Sequence, residues 1–161
     1  MAKAGLQFSQ KDEWYTPKPI VDFFGPFDYD PCTTKRLAKN FGIKNYDTIK
    51  TDGLKADWKK YKKVWVNPPF TRKFDFLNKA VETVMWNWDT RVFFLLPIET
   101  LTTKKFHEIV GGQPYRLWLP DGRIKFEDGH GGGTSPAFGT VVLEFGSRLV
   151  GKETINWSLY A

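Results

Sequence analysis

Apolar positions along the chain follow two periods. From Phe74 to Trp88, the residues Phe74, Leu77, Val81, Val84, Met85 and Trp88 recur at three- and four-residue spacing, which predicts a helix with these side chains inward. A second helix is predicted over Thr103–Val110, with Phe106, Ile109 and Val110 inward and Gly111-Gly112 as its stop. Near the start, Thr16 and Pro17 read as the N-cap and first position of a helix whose Ile20, Phe23 and Phe24 share a face before Gly25. Thr34 to Phe41 reads as a short helix closed by Gly42. Strands are predicted over Phe27–Asp30, Val64–Val66, Arg91–Leu96, Arg116–Leu119, Arg123–Phe126 and Ala137–Phe145. The run Arg91–Leu96 is almost continuously apolar, as in a strand covered on both faces of a parallel sheet. Asp128 to Gly133 reads as a flexible loop. Strands alternating with helices, then strands in succession, predict an α/β fold: one sheet, mostly parallel, with an antiparallel C-terminal hairpin.

Composition narrows the class. The 161 residues fit one domain, and no repeat or linker divides them. A polar segment, residues 1–11, is expected to precede a compact domain over 12–161 with no separate target-recognition domain. Seven Trp, six Tyr and 14 Phe supply a large core and exclude a disordered chain. A net charge of +6 and a pI near 9.3 fit a polyanionic partner or simply a soluble surface. Cys32 is the single cysteine and the histidines number two, which excludes an internal disulfide and argues against a metal cluster. The longest apolar run, Val92–Ile98, falls far short of the ~20 residues that span a bilayer, and Met1–Gln10 is polar, so a cytoplasmic protein is expected.

The sharpest chemistry lies at Asn67-Pro68-Pro69-Phe70, directly after a predicted strand. That is the carboxyl edge of an α/β sheet, where ligands bind. Consecutive prolines fix the backbone and remove N–H donors. The Pro68 carbonyl and the Asn67 side-chain oxygen then form two converging acceptors, and Phe70 adds a flat face. An exocyclic nucleobase amine offers two N–H donors to such a pair. A strand-ending turn with a core Phe would carry the same letters.

These residues resemble the catalytic motif of S-adenosylmethionine-dependent amino-methyltransferases. Upstream, Thr16-Pro17-Lys18-Pro19-Ile20-Val21-Asp22-Phe23 is similar to the segment that opens the cofactor site in adenine DNA methyltransferases. Asp30-Pro31-Cys32 resembles the start of their cofactor motif, and Asp52-Gly53-Leu54 resembles the segment whose Asp holds the cofactor's adenine amine. The order, from Asp12-Glu13-Trp14-Tyr15-Thr16-Pro17 to Gly122-Arg123-Ile124-Lys125-Phe126, resembles the phage-type Dam family of DNA N6-adenine methyltransferases over roughly residues 12–145.

The resemblance implies a Rossmann-like methyltransferase that takes S-adenosylmethionine as cofactor and double-stranded DNA as partner, without a metal. The target adenine would be flipped out of the duplex. Asn67, Pro68, Pro69 and Phe70 are then the catalytic candidates, and Trp14, Tyr15, Thr16, Pro17, Asp30, Pro31, Cys32, Asp52, Gly53 and Leu54 the cofactor-binding ones. Thr16 would offer its hydroxyl to the cofactor's carboxylate, and Leu54 would pack on its adenine. Arg72, Lys73, Arg123 and Lys125 are candidates for DNA contact, in loops expected over Thr71–Asp75 and Asp121–Pro136. The sequence departs from the family pattern after Cys32, where Thr33-Thr34-Lys35-Arg36 follows, no glycine comes before Gly42, and Asp47 is the one acid before Asp52. Methylation of an RNA base or a glutamine side chain, and a non-catalytic DNA-binding relative, remain open alternatives.

Overall fold

The computed structural model describes residues 15–87, 89–127, 133–134 and 138–159. The predicted positions of Trp14 and Trp88, and most of the 128–137 loop, lie outside them.

Local signals set the helices. Thr34 caps α2 (Lys35–Phe41) by accepting from Leu37 N at 3.2 Å, and Gly42 ends it in the left-handed conformation at φ 71°. Thr103 caps α4 (Lys104–Val110) in the same way, accepting from Phe106 N at 3.2 Å. The helix α1 (Lys18–Phe24) begins differently from expectation. Pro17 is its N-cap residue, and Thr16 lies outside it with its hydroxyl bonded elsewhere.

The long helix α3 spans Lys73–Trp86. Its buried face is Phe76, Leu77, Ala80, Val81, Thr83 and Val84. At 3.6 residues per turn Met85 falls about 120° from the centre of that face, and it is 64% exposed rather than inward. Phe23 also turns outward, at 54% exposure, although its ring stacks on Trp157 at 5.1 Å; Val21 is buried in its place.

Among the described residues, seven strands form the main sheet: β1 (Tyr29–Asp30), β2 (Asn45–Tyr46), β3 (Lys63–Val66), β4 (Arg91–Pro97), β5 (Tyr115–Pro120), β8 (Thr140–Gly146) and β9 (Lys152–Trp157). Their order is β2-β1-β3-β4-β8-β5-β9. The pairs β1·β2, β1·β3, β3·β4 and β5·β9 are parallel, whereas β8 runs antiparallel to both of its neighbours, β4 and β5. The antiparallel pairing expected at the C-terminal end is thus carried by one strand inserted into the sheet, and β4 has one parallel and one antiparallel neighbour. A separate pair joins β6 (Phe126–Glu127) to β7 (Gly133–Thr134), so the strand predicted over Arg123–Phe126 is reduced to its end. Strands β2 and β9 have no counterpart among the predicted elements.

Alternate side chains of the strands enter two cores. On one face Val64, Val66, Val92, Phe94, Val141 and Leu143 pack with α3 and with Phe106 and Val110 of α4. On the other, Trp65, Phe93, Leu95 and Val142 meet Ile20, Val21 and Phe24 of α1 together with Trp157. The result is a Rossmann-like sheet covered on both faces. Each fully buried Phe or Leu contributes roughly 1.5–3 kcal/mol, and these two clusters fix the register of the strands. Glu144 on β8, 1% exposed, accepts from Arg91 Nη2 (2.8 Å), Arg116 Nη1 (3.3 Å) and Trp118 Nε1 (3.1 Å). These donors supply the compensation that a buried carboxylate requires.

The chain leaves β1 for β2 on one side and returns to β3 on the other. The crevice beyond the carboxyl ends of β1 and β3 is therefore the topological switch point, where open α/β sheets bind ligands. Asp30 ends β1, and Asn67 follows β3. Among the described residues no helix is long and apolar enough to cross a membrane.

Candidate active site

A cavity of about 540 Å³ opens at this switch point. Its walls include Tyr15 and Thr16, the segment Asp30-Pro31-Cys32, Asp52 and Gly53, and Asn67 and Pro69. Four stretches far apart in sequence thus converge on one space. Of the cofactor and catalytic candidates among the described residues, Pro17, Leu54, Pro68 and Phe70 are not on its wall. Leu54 is half-buried against the core under α3, and the apolar lining comes instead from Leu37, Phe41 and the almost fully exposed Ile49. Sequence reasoning missed these three, because none stands in a recognisable motif.

Asp30 is buried, and its Oδ1 accepts from Cys32 N at 3.0 Å. Burial pushes its carboxyl up to about 7; the Cys32 amide draws it partly back. Burial, together with the Asp30 charge, also pushes the Cys32 thiol well up. The thiol therefore stays protonated, and Sγ donates to the Asn67 carbonyl at 3.3 Å, tying the end of β1 to the loop after β3. Asp47 does not line the cavity. Its Oδ2 accepts from Tyr29 Oη at 2.5 Å, and its backbone bonds to Asp30 and Thr33, so it holds β1 and the loop after β2 together.

Asp52 adopts a left-handed backbone at φ 58°, and its Oδ1 accepts from Leu54 N at 3.2 Å. A non-glycine residue there is strained and marks a site held by its surroundings. Gly53 supplies the restraint: it packs on Pro31, and its carbonyl accepts from the buried Trp58 Nε1 at 2.8 Å. Arg72 reaches the same carboxylate, with Nη1 3.9 Å from Asp52 Oδ1, while its Nε lies 3.8 Å from Asp75 Oδ2. This candidate for DNA contact therefore lies on the cavity wall beside two carboxylates.

Asn67-Pro68-Pro69-Phe70 runs from β3 into a 3₁₀ turn, Phe70–Arg72, that leads into α3. The Pro69 carbonyl accepts from Arg72 N at 3.0 Å. Pro68 is buried, and Asn67, Pro69 and Phe70 are half-buried. Asn67 Nδ2 donates to Thr16 Oγ1 at 2.9 Å, which turns the amide oxygen away from Thr16. Phe70 meets Phe138 edge to face with centroids 5.1 Å apart. Lys73 lies at the start of α3, its ammonium over the Phe74 ring. Arg123 and Lys125 are exposed, alternating with buried Ile124 and Phe126. Tyr15 exchanges backbone hydrogen bonds with Glu127 of β6, which brings the 123–127 segment beside Thr16.

Known proteins resemble this chain in sequence. A DNA N-6-adenine-methyltransferase of Escherichia phage T1 is 30% identical over 96 residues, covering 57% of this chain and 38% of that protein. A DNA N-6-adenine-methyltransferase of Haemophilus phage HP1 is 29% identical over 133 residues, covering 78% of this chain and 72% of its own length. Among solved structures, one described as a class I S-adenosylmethionine-dependent methyltransferase from Listeria monocytogenes superposes with a TM-score of 0.40 at 14% identity, over 77% of this chain and 44% of that one. The sequence model of one family matches residues 3–143. By that match the chain belongs to the DNA N-6-adenine-methyltransferase (Dam) family.

Proposed function

We propose that this protein methylates the exocyclic amine of adenine in double-stranded DNA, with S-adenosylmethionine held in the cavity between β1 and β3. The observation that carries this reading is the Asn67 amide, fixed by Thr16 at the cavity's edge and followed by the Pro68 carbonyl. An adenine amine has two hydrogens to give and one nitrogen lone pair to aim. Two acceptors, Asn67 Oδ1 and Pro68 O, would take the hydrogens and orient the lone pair. They also stabilise the positive charge that grows on this nitrogen as it bonds to carbon, the stage at which preorganised dipoles matter most. Phe70 would stack on the extruded base.

The wall chemistry fits the cofactor. Asp30 would face an ammonium group, Asp52 would accept from an adenine amine, and Ile49, Leu37 and Phe41 supply apolar cover. Bound S-adenosylmethionine supplies an electrophilic methyl group on a sulfonium. Arg123 and Lys125, exposed on the segment tied to Tyr15, would contact the phosphate backbone, and Lys73 stands at the start of α3.

The test is incubation with methyl-labelled S-adenosylmethionine and DNA, RNA or protein, followed by digestion and identification of the labelled product. Label in N6-methyladenine from duplex DNA is the expected result. Label confined to RNA or to glutamine, or no transfer to any substrate, would sink the proposal.

A further inference from the structure

We propose that Thr16 is a positioning residue for Asn67: its hydroxyl holds the amide nitrogen, and so decides which way the amide oxygen faces. This rests on the reading of Asn67 given above and assigns Thr16 a role beyond that of a cofactor ligand.

The two residues are 51 positions apart, yet Asn67 Nδ2 lies 2.9 Å from Thr16 Oγ1. Thr16 is only 3% exposed, so water does not compete freely for its hydroxyl. It is also released from the duty its sequence position implies. Pro17 is the N-cap residue of α1, and the Thr16 hydroxyl makes no cap. A terminal amide rotates by half a turn between two nearly isosteric poses, one presenting oxygen and the other nitrogen. A base amine needs the oxygen, because a presented NH₂ would meet it donor against donor. A hydroxyl can accept from Nδ2 or donate to Oδ1; with its proton given to an anionic group in the cavity it can only accept, and that selects the oxygen-out pose.

The segment that carries Thr16 is held on both sides. Tyr15 N donates to the Glu127 carbonyl at 3.3 Å and Glu127 N to the Tyr15 carbonyl at 3.0 Å, and on the other side Pro17 leads into α1. The Asn67 carbonyl is tied separately by Cys32 Sγ, and Thr16 restrains its side chain. The hydroxyl keeps its own proton to donate into the cavity. Donation to an anionic group there would polarise the oxygen and strengthen its hold on Nδ2.

The test compares Thr16→Val, which keeps shape and removes the hydroxyl, with Thr16→Ser, which restores it; Thr16→Ala replaces the valine variant if that one misfolds. Three readouts are taken on the full chain. In ¹⁵N-labelled protein, the Asn67 side-chain amide signals, identified by their loss in Asn67→Ala, should move and exchange faster with solvent in Thr16→Val but not in Thr16→Ser. Turnover should fall about tenfold in Thr16→Val, the scale of one hydrogen bond, with KM for DNA little changed and near recovery in Thr16→Ser. Adding Thr16→Val to Asn67→Ala should cost nothing further, because Thr16 acts through Asn67. An unmoved amide signal, additive losses in the double variant, or a loss confined to cofactor affinity would each overturn the proposal. If the wild type transfers no methyl group, the functional reading fails, while the amide signals still decide whether Thr16 holds Asn67.

Discussion

Pro31 and Gly53 meet backbone to backbone: a Cβ built on Gly53 would lie 1.9 Å from the Pro31 carbonyl oxygen. No side-chain adjustment relieves that contact, since both partners are main chain. The two segments that wall the cavity are thus seated on each other, and Asp52 is set by this contact. Gly53→Ala should force them apart. The expected cost is about 1–3 kcal/mol of stability, the usual range for overpacking, together with weaker cofactor binding. Thermal unfolding and calorimetric titration measure the two. An alanine variant with wild-type stability and affinity would show that the contact tolerates more than its geometry allows.

Asp52 itself offers a cleaner test of the cavity. Its carboxylate faces the wall beside Arg72, and its backbone strain is a cost that function would explain. Asp52→Ala should weaken S-adenosylmethionine binding by roughly 1.5–3 kcal/mol, the scale of a charge-assisted hydrogen bond. Turnover at saturating cofactor should change less. Unchanged affinity would remove Asp52 from the cofactor's contacts.

Buried Asp30 gives the protein a pH dependence with a definite sign. Its folded carboxyl is raised from the ordinary 3.8 to about 7 by burial. Between those values the native state holds a proton that the unfolded chain has lost. Stability from this group therefore falls as pH rises through that window, by roughly 1.4 kcal/mol for each pH unit crossed, and levels off above about 7. Asp30→Asn keeps an acceptor for Cys32 N and removes the charge, so it should be more stable than wild type at pH 8 and similar at pH 4. Cofactor affinity should behave oppositely: in the wild type it strengthens as the carboxylate forms, and in Asp30→Asn it stays weak. Denaturant melts and titrations across pH 5 to 8 check both. Parallel stability profiles for the two proteins would contradict the assignment.

The tetrapeptide separates into two expectations. Asn67→Ala should retain the fold and cofactor binding while lowering turnover by about 10²–10³, the scale of one lost transition-state contact. Phe70→Ala should weaken productive capture of the base by about 1–3 kcal/mol, as for one base–aromatic stack. Single-turnover rates at saturating DNA, set against DNA affinity, distinguish the two. Near-normal turnover in Asn67→Ala would refute the mechanism.

How far the sequence revealed these features depended on how local their causes were. The helices at Thr34 and Thr103 were legible because capping, apolar spacing and terminal glycines lie within a few residues of each other. Strands β4 and β8 were legible because both are buried on both faces, but the place of β8 in the sheet was not. The insertion of β8 between β4 and β5 is decided by tertiary pairing between residues far apart in the chain, from Trp118↔Val142 to Arg91↔Gly146. Strand β2 is two residues long, and β9 is mostly exposed, so neither leaves a hydrophobic period to read. At the site, the motifs marked which segments would meet. They did not show that Thr16 bonds to Asn67, that Leu54 turns to the core, or that Ile49 takes the cavity rim. Those assignments depend on where separate loops come to rest.

The cations at the catalytic edge should divide into two groups when DNA binding is measured against salt. Arg72 has Nη1 3.9 Å from Asp52 and Nε 3.8 Å from Asp75, so its charge already faces two carboxylates. Arg123 and Lys125 are exposed on the segment that Glu127 ties to Tyr15, the neighbour of the Thr16 that bonds Asn67. Each phosphate contact releases counterions and contributes about 0.9 to the slope of log affinity against log salt. Arg123→Ala and Lys125→Ala should each lower that slope by about one unit on target and scrambled duplexes alike. Arg72→Ala should leave the slope nearly unchanged and weaken cofactor binding, because Asp52 loses its neighbour. A fluorescence anisotropy series at several salt concentrations, with and without cofactor, measures all three variants. A full unit lost in Arg72→Ala with cofactor affinity intact would mean that Arg72 leaves Asp52 for the DNA. Wild-type slopes for Arg123→Ala and Lys125→Ala would place the duplex on another surface.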